Sequence, residues 1–166
     1  MIKIPPKNLD PDISASLVKL QSKIDKETSF EKKAKKAQLS WDSKNKTIFG
    51  KVSQALLSMN VANGVCNYCE QNESNDIEHI KPKSFFPAHT FDWENFILAC
   101  KQCNSGHKVD KCFVFDQQNN LVFLERDIEP VSSDVAFINP RKDDPNKYMI
   151  LNMEVYKFDL LPSLTP

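Results

Sequence analysis

The order of apolar and polar positions predicts three helices in the first 60 residues. Asp10 precedes Pro11, an arrangement typical of an N-cap followed by proline at the first helical position, and predicts a helix over about 11–27. Ser29 can cap a second, lysine-rich helix over about 30–40, and a third is predicted over about 44–60. The first and third helices carry apolar stripes at helical spacing, formed by Ile13, Leu17, Leu20 and Ile24 and by Ile48, Val52, Leu56 and Met59.

Beyond Cys112 the pattern becomes typical of β-strands. Four segments rich in β-branched and aromatic residues follow one another: "CFVFD", "LVFLE", "VAFIN" and "YMILNMEVYKF". The polar run "QQNN" at 117–120 separates the first two and predicts a hairpin turn. The sequence therefore predicts an α+β fold with a basic helical region over 1–60, a core over 61–112 and a strand-rich extension over 113–166.

Length, composition and charge narrow the class of protein. The chain has 166 residues, 40% of them hydrophobic, which is enough to fill the core of one ordinary domain. It contains no run of about 18 apolar residues and no apolar stretch of a secretory signal, so we expect a cytoplasmic protein without membrane contact. The net charge is zero, but residues 1–60 hold 12 lysines against 6 acidic residues. That excess suits a phosphate backbone, an acidic partner or simply solvated helix faces.

Four of the five cysteines have the spacing of a structural zinc site. Cys66 and Cys69 form one CxxC pair, and Cys100 and Cys103 form a second. Each pair can direct two sulfurs at one ion, and four thiolates complete a tetrahedron with no open position for a substrate. Cys112 is left over and is expected to be a small buried side chain.

The segment between the two pairs contains residues that the zinc ion does not need. It is 30 residues long, whereas a plain zinc ribbon has about 15 to 20 there. It carries the acid-histidine pair Glu78-His79 and then Asn95, and Asn104 directly follows the last cysteine. Histidine suits a general base, while a carboxylate and an amide oxygen suit a Mg²⁺ ion.

These residues resemble the HNH endonucleases, which have a ββα-metal fold. The resemblance lies in "EHIKPKS", "WENFILAC" and "CKQCNSGHK" and covers about residues 61–112. It implies that His79 is the general base, that Glu78 and Asn104 hold a catalytic Mg²⁺ or Mn²⁺ ion, and that Asn95 orients the loop and the His79 ring. It also implies hydrolysis of DNA phosphodiester bonds.

Several points are open within that resemblance. Glu78 stands where the family most often has Asp, and Asn104 stands where it often has His. His107 follows on the same helix face and either touches the metal or the scissile phosphate, or is a solvated helix residue. Neighbours in a strand point to opposite faces, so a bulge or a strand end is needed to bring Glu78 and His79 to one site. Candidate phosphate contacts are Lys81, Lys83 and Lys108.

The flanking sequence, with "FINPRKDDPNKY" after the core, resembles the nuclease partners of ATPases in Septu-type and retron-type anti-phage systems. We therefore expect a DNA endonuclease that cuts phage or plasmid DNA and works with an ATPase subunit. The alternative is a zinc-stapled module that binds DNA or a protein without cutting. In an endonuclease, the region 1–60 is either a DNA clamp or an arm that docks on the partner subunit, and its long first apolar stripe favours docking.

Overall fold

The computed structural model of the protein describes residues 1–60, 64–108 and 111–161. The predicted start of the core at residue 61 and the C-terminal residues 162–166 therefore lie outside the described residues. Three helices come first along the chain, and three separate two-stranded antiparallel hairpins follow in the described residues. This combination confirms the predicted α+β class.

Each helix begins at a polar side chain that satisfies free backbone N–H groups, and for the first two helices this is the cap that the sequence predicted. The Asp10 carboxylate accepts from the N–H groups of Asp12 and Ile13, and Ser29 and Asn45 cap the next two helices in the same way. The ends differ from the predicted ones by at most a few residues. The helices are α1 (Pro11–Asp25), α2 (Phe30–Asp42) and α3 (Lys46–Met59).

The central hairpin pairs two short strands in a regular register. Strand β1 (Asp76–His79) runs antiparallel to β2 (Phe96–Ala99), and the pairing continues without a bulge to the last pair, His79 with Phe96. Side chains therefore alternate strictly between the two faces of the hairpin, and Glu78 and His79 point to opposite sides. The bulge considered from the sequence is not present in these strands.

The three helices cover one face of this hairpin and share its hydrophobic core. The first apolar stripe is buried there and is not free to bind a partner, which removes the argument for docking through that stripe. The buried members of the cluster are Ile13, Leu17, Ile24, Ala37, Phe49, Val52, Leu56, Phe91, Phe96 and Leu98.

The C-terminal part forms two further hairpins. Strand β3 (Phe113–Phe115) pairs with β4 (Leu121–Phe123), and the Asp116 carboxylate accepts from two backbone N–H groups of the turn between them. Strand β5 (Met149–Asn152) pairs with β6 (Lys157–Leu160). The prediction of a strand in "VAFIN" is wrong, because only Val135 makes a single bridge, to Val114.

Three-residue 3₁₀-helices complete the loops, at Pro87–His89, Trp93–Asn95 and Pro145–Lys147. A π-helix, Gln102–Lys108, begins within the second cysteine pair and contains Cys103. Among the described residues, no helix is long and apolar enough to cross a lipid bilayer.

Replacement of Leu17 by Ala tests whether α1 belongs to the shared core. Leu17 is 2% exposed, whereas its neighbour Val18 is 66% exposed. Leu17→Ala should lower the free energy of unfolding by about 2 to 5 kcal/mol because it leaves a cavity, and Val18→Ala should change it by less than about 0.5 kcal/mol. Urea denaturation measures both, and equal effects of the two variants would contradict this packing.

Candidate metal centre and active site

The four cysteines of the two CxxC pairs meet at one point. One ligand sulfur from each of Cys66, Cys69, Cys100 and Cys103 lies within 4.8 Å of the others. Backbone N–H groups point back at the first sulfur of each pair, from Tyr68 to Cys66 and from Cys103 to Cys100, both at 3.4 Å. Four soft sulfur donors at this separation fit a tetrahedral metal ion and leave no position for a substrate.

Hydrogen bonds favour the thiolate at Cys100, whereas burial raises the pKa of Cys66 and of Cys103. Burial also raises the pKa of the Cys100 thiol, but hydrogen bonds from Cys103, Cys66 and Asn72 outweigh it and lower the pKa to about 7. Cys112 lies outside the group, buried among Phe85, Phe86, Val114 and Leu124, as expected for a small apolar side chain.

The metal centre is joined directly to the central hairpin. Asn67, inside the first pair, exchanges two hydrogen bonds with the backbone of Leu98, at 3.0 and 3.1 Å. Strand β2 runs straight into Cys100, and the π-helix begins two residues later. An ion at the four sulfurs would therefore fix the end of β2 and the start of the π-helix against each other.

His79 is the last residue of β1 and is only 5% exposed. Its Nε2 lies 2.9 Å from the carbonyl oxygen of Thr90. A carbonyl oxygen can only accept, so Nε2 carries the proton and Nδ1 carries the lone pair. Burial lowers the pKa of His79 to about 3, and the hydrogen bond to Thr90 opposes this only in part. The imidazole is therefore neutral at physiological pH.

The free nitrogen of His79 is its solvent-facing atom. No described residue bonds to Nδ1, and every buried side-chain nitrogen or oxygen in the described part of the chain has a hydrogen-bond partner. Nδ1 therefore keeps contact with solvent. The ring faces are enclosed by Trp41 of α2, with ring centroids 4.2 Å apart, and by Phe96, at 5.3 Å. The position of Trp41 beside this histidine could not be read from the sequence.

Glu78 lies on the opposite face of β1 and is 6% exposed. Its Oε1 contacts the Lys108 ammonium, which also contacts the backbone oxygen of His79. The Tyr68 hydroxyl lies 3.5 Å from the same Oε1. Two buried oxygen atoms thus converge on one cation, which shows that this pocket attracts positive charge.

Asp76 is a candidate ligand that the sequence analysis missed. It stands two residues before Glu78 and so shares its face of β1, and its Oδ2 accepts a hydrogen bond from the Asn104 amide at 3.4 Å. That bond leaves the Asn104 amide oxygen free to bind a cation. Carboxylate and amide oxygens are the donors that Mg²⁺ and Mn²⁺ prefer, so the three side chains have the chemical type that such an ion needs. The alternation within "DIEH" was the signal that could have revealed Asp76.

Asn95 is buried and ties together the loops beside His79. Its amide nitrogen donates to the backbone oxygens of Lys81 and His89, at 3.0 and 2.8 Å, and its side-chain oxygen accepts from Lys81 N–H at 2.7 Å. His89 directly precedes Thr90, the acceptor of the His79 hydrogen bond. Asn95 therefore lies where a residue that orients the His79 ring would be needed.

The side chain of His107 is exposed on the π-helix, without a hydrogen bond to the rest of the described chain. A role at the metal or the phosphate remains a prediction.

Three ammonium groups lie close enough to the enclosed histidine to affect its charge state. The charges of Lys83, Lys108 and Lys44 all lower the pKa of His79. Lys44, from the link between α2 and α3, lies 4.3 Å from the centre of the Trp41 ring. Lys81, the remaining predicted phosphate contact, instead lies over the Phe86 ring. The surface beside His79 thus has the positive charge that a phosphate group requires.

Sequence comparison places this site in the context of known proteins. Residues 66–109 match the HNH endonuclease family. The chain is 30% identical over 63 residues to the Septu protein PtuB of Bacillus thuringiensis, a match that covers 35% of this chain and 24% of that protein. The match thus spans about a quarter of the relative's length. No solved structure gives a significant match. The segment that carries the four cysteines, Glu78, His79, Asn95 and Asn104 is therefore an HNH-type segment.

Replacement of Cys100 by Ser tests the metal centre, with Cys112→Ser as the matched control. The wild-type protein should contain about one tightly bound metal ion per chain. Cys100→Ser should lose most of this metal and melt at a lower temperature, because binding of the ion contributes to folding. Cys112→Ser should keep the metal, since Cys112 lies outside the cluster. Elemental analysis of folded samples decides, and a wild-type protein with less than about half an equivalent would contradict the assignment.

Proposed function

We propose that the protein is a metal-dependent endonuclease that hydrolyses phosphodiester bonds of DNA, with His79 as its general base. The observation that carries the proposal is the state of His79 within the HNH-type segment. Its Nε2–H is held by the Thr90 carbonyl, and its unprotonated Nδ1 keeps contact with solvent. This is the arrangement needed to accept a proton from a water molecule that attacks phosphorus.

The basicity of His79 depends on the substrate in this proposal. With a pKa of about 3 the histidine alone is a weak base, because its protonated form is buried among positive charges. A phosphodiester anion bound beside the ring compensates those charges and stabilises the imidazolium, which raises the pKa toward the range useful for catalysis. The base becomes effective when DNA is in place.

The catalytic ion is proposed to bind at Asp76, Glu78 and Asn104. Glu78 and His79 lie on opposite faces, but His79 is the last residue of β1, so a phosphate at that strand end is proposed to reach both His79 Nδ1 and the ion. A divalent ion there would supply positive charge to the phosphate and the leaving oxygen. Glu78 becomes available only when the Lys108 ammonium leaves its carboxylate, and Lys108 is then free to contact a phosphate oxygen. The metal of the four-cysteine site is proposed to be structural zinc, because four thiolates suit that ion.

The biological setting we propose is anti-phage defence together with an ATPase subunit. It is supported by the similarity to a Septu protein and by the flanking sequence after the HNH-type segment. The partner surface is expected to lie away from the α1 stripe, because that stripe is buried in the chain's own core.

Plasmid nicking by wild type, His79→Ala and Ile77→Ala tests the proposed base. Ile77 lies on the same strand and the same face as His79 but has no polar atom in its side chain. His79→Ala should lower the nicking rate by about 100-fold or more, because general base catalysis is lost. Ile77→Ala should keep most of the activity at a temperature where both variants are folded. Cleavage by His79→Ala at the wild-type rate would overturn the proposal.

The same assay separates cutting from mere binding. If wild-type protein shifts plasmid in a gel with Mg²⁺ or Mn²⁺ present but never nicks it, with or without a co-purified partner, the alternative of a binding module without cleavage is correct.

Binding of Mn²⁺ tests the second metal site without any need for activity. Glu78→Gln and Asp76→Asn each remove one carboxylate and should weaken Mn²⁺ binding by about 10-fold or more. Glu73→Gln removes an exposed carboxylate just before β1 and is the matched control. Electron paramagnetic resonance reports free Mn²⁺, and equal affinities of the control and both site variants would show that these residues do not hold the ion.

A further inference from the structure

Arg141 is buried although it carries a charge. Its side chain is 2% exposed, and it lies beyond the segment 66–109 that matches the HNH endonuclease family. Nε and Nη2 donate to the two carboxylate oxygens of Glu94, at 3.2 and 2.9 Å, and Nη1 donates to the backbone oxygen of Phe96 at 3.0 Å. The guanidinium also lies 4.6 Å from the centre of the Trp93 ring. All three nitrogens therefore hold one loop.

The backbone that presents Arg141 is itself well anchored. Asn139 accepts from the Arg141 N–H through its side chain and donates its own N–H to the Asp143 carboxylate. The neighbouring carbonyl of Pro140 accepts from Ile4 N–H at 2.8 Å. The guanidinium is thus presented by an ordered turn, and its contacts with the loop are not those of a freely moving side chain.

The loop that Arg141 holds is the one that carries Asn95. Glu94 and Phe96 are its immediate neighbours, and both are bonded to the guanidinium. Asn95 in turn donates to the backbone oxygen of His89, next to Thr90, which accepts the Nε2–H of His79. A continuous series of short contacts therefore connects Arg141 to the His79 ring.

We propose that Arg141 is a positioning residue of the candidate active site, which fixes the Asn95 loop and through it the orientation and tautomer of His79. The catalytic part of this proposal rests on the proposed function. Arginine suits the position because its planar fork can hold two carboxylate oxygens and a carbonyl at once, whereas a lysine ammonium cannot reproduce that geometry. The Glu94 side chain is 53% exposed, so orientation of the loop, more than the strength of the ion pair, is the expected contribution.

Imidazole ¹⁵N and ¹H spectra of Arg141→Met and Arg141→Lys test the proposal directly. The chain has only three histidines, so the His79 signals are identified by their absence in His79→Ala. In wild type the Nε2–H of His79 should exchange slowly with water and mark a single neutral tautomer. In Arg141→Met it should exchange about tenfold faster, and cleavage at saturating DNA should slow by about tenfold or more with little change in KM. Arg141→Lys should recover only part of both effects.

The matched control is Arg126→Met, which removes an exposed arginine outside this loop. The proposal is overturned if Arg141→Met lowers the melting temperature but keeps the His79 signals and the kcat of wild type, because Arg141 is then only structural. If Arg141→Met does not fold, the Glu94→Gln variant tests the positioning role instead. It weakens the same contact and should shift the His79 signals in the same direction, and unchanged signals overturn the proposal. Shifted signals in a protein that never cleaves DNA would support the positioning role while refuting the proposed function.

Discussion

Side chains of the central hairpin alternate strictly between its two faces, and the rest of the structure depends on this constraint. Two strands of four residues are not stable alone in water, so both faces need a covering layer. The three helices cover the face that carries His79. Ile4, Met59 of α3 and the four-cysteine centre cover the other face. Because Glu78 and His79 are neighbours on a regular strand, each layer receives one of them. The proposed base is therefore enclosed by the helical region, and the proposed metal ligands lie beside the cysteine centre.

Enclosure of the histidine has opposing consequences. The aromatic rings and the Thr90 carbonyl hold the imidazole in one tautomer and one orientation, which favours proton transfer through Nδ1. The same burial, with three lysines nearby, lowers its pKa to about 3 and makes the free protein a poor base. A bound phosphate anion raises the pKa of His79 again, because its negative charge stabilises the imidazolium and compensates the positive charge of the lysines. Positive charge near the proposed base can therefore assist the binding of a phosphate anion first and proton transfer to His79 afterwards.

The sequence predicted features that depend on local signals and missed those that depend on packing. The helix starts at Asp10 and Ser29 follow from capping, and the cysteine centre follows from two CxxC pairs. The periodicity of the α1 stripe shows that one side of the helix is apolar but not what covers that side. The prediction of a docking face therefore could not anticipate that the stripe packs in the chain's own core. Asp76 was missed because the motif drew attention to its neighbours, although its place on the strand was readable. Trp41 and Arg141 have no local signal, since both reach the site from distant parts of the chain.

The family match covers the residues proposed to react more completely than the residues that hold them in place. Residues 66–109 contain every group proposed to touch the substrate or a metal ion. Of the lysines near His79, only Lys44 lies outside this segment. Part of what encloses and orients those groups lies outside, in α2 and in the turn that carries Arg141, although Thr90, Asn95 and Phe96 lie inside the matched segment. Only a few residue types can act as a general base or bind a metal ion. Many different side chains can pack against a histidine or hold a loop in place. Sequence similarity is therefore expected to persist at the groups that react and to fade at the groups that hold them in place.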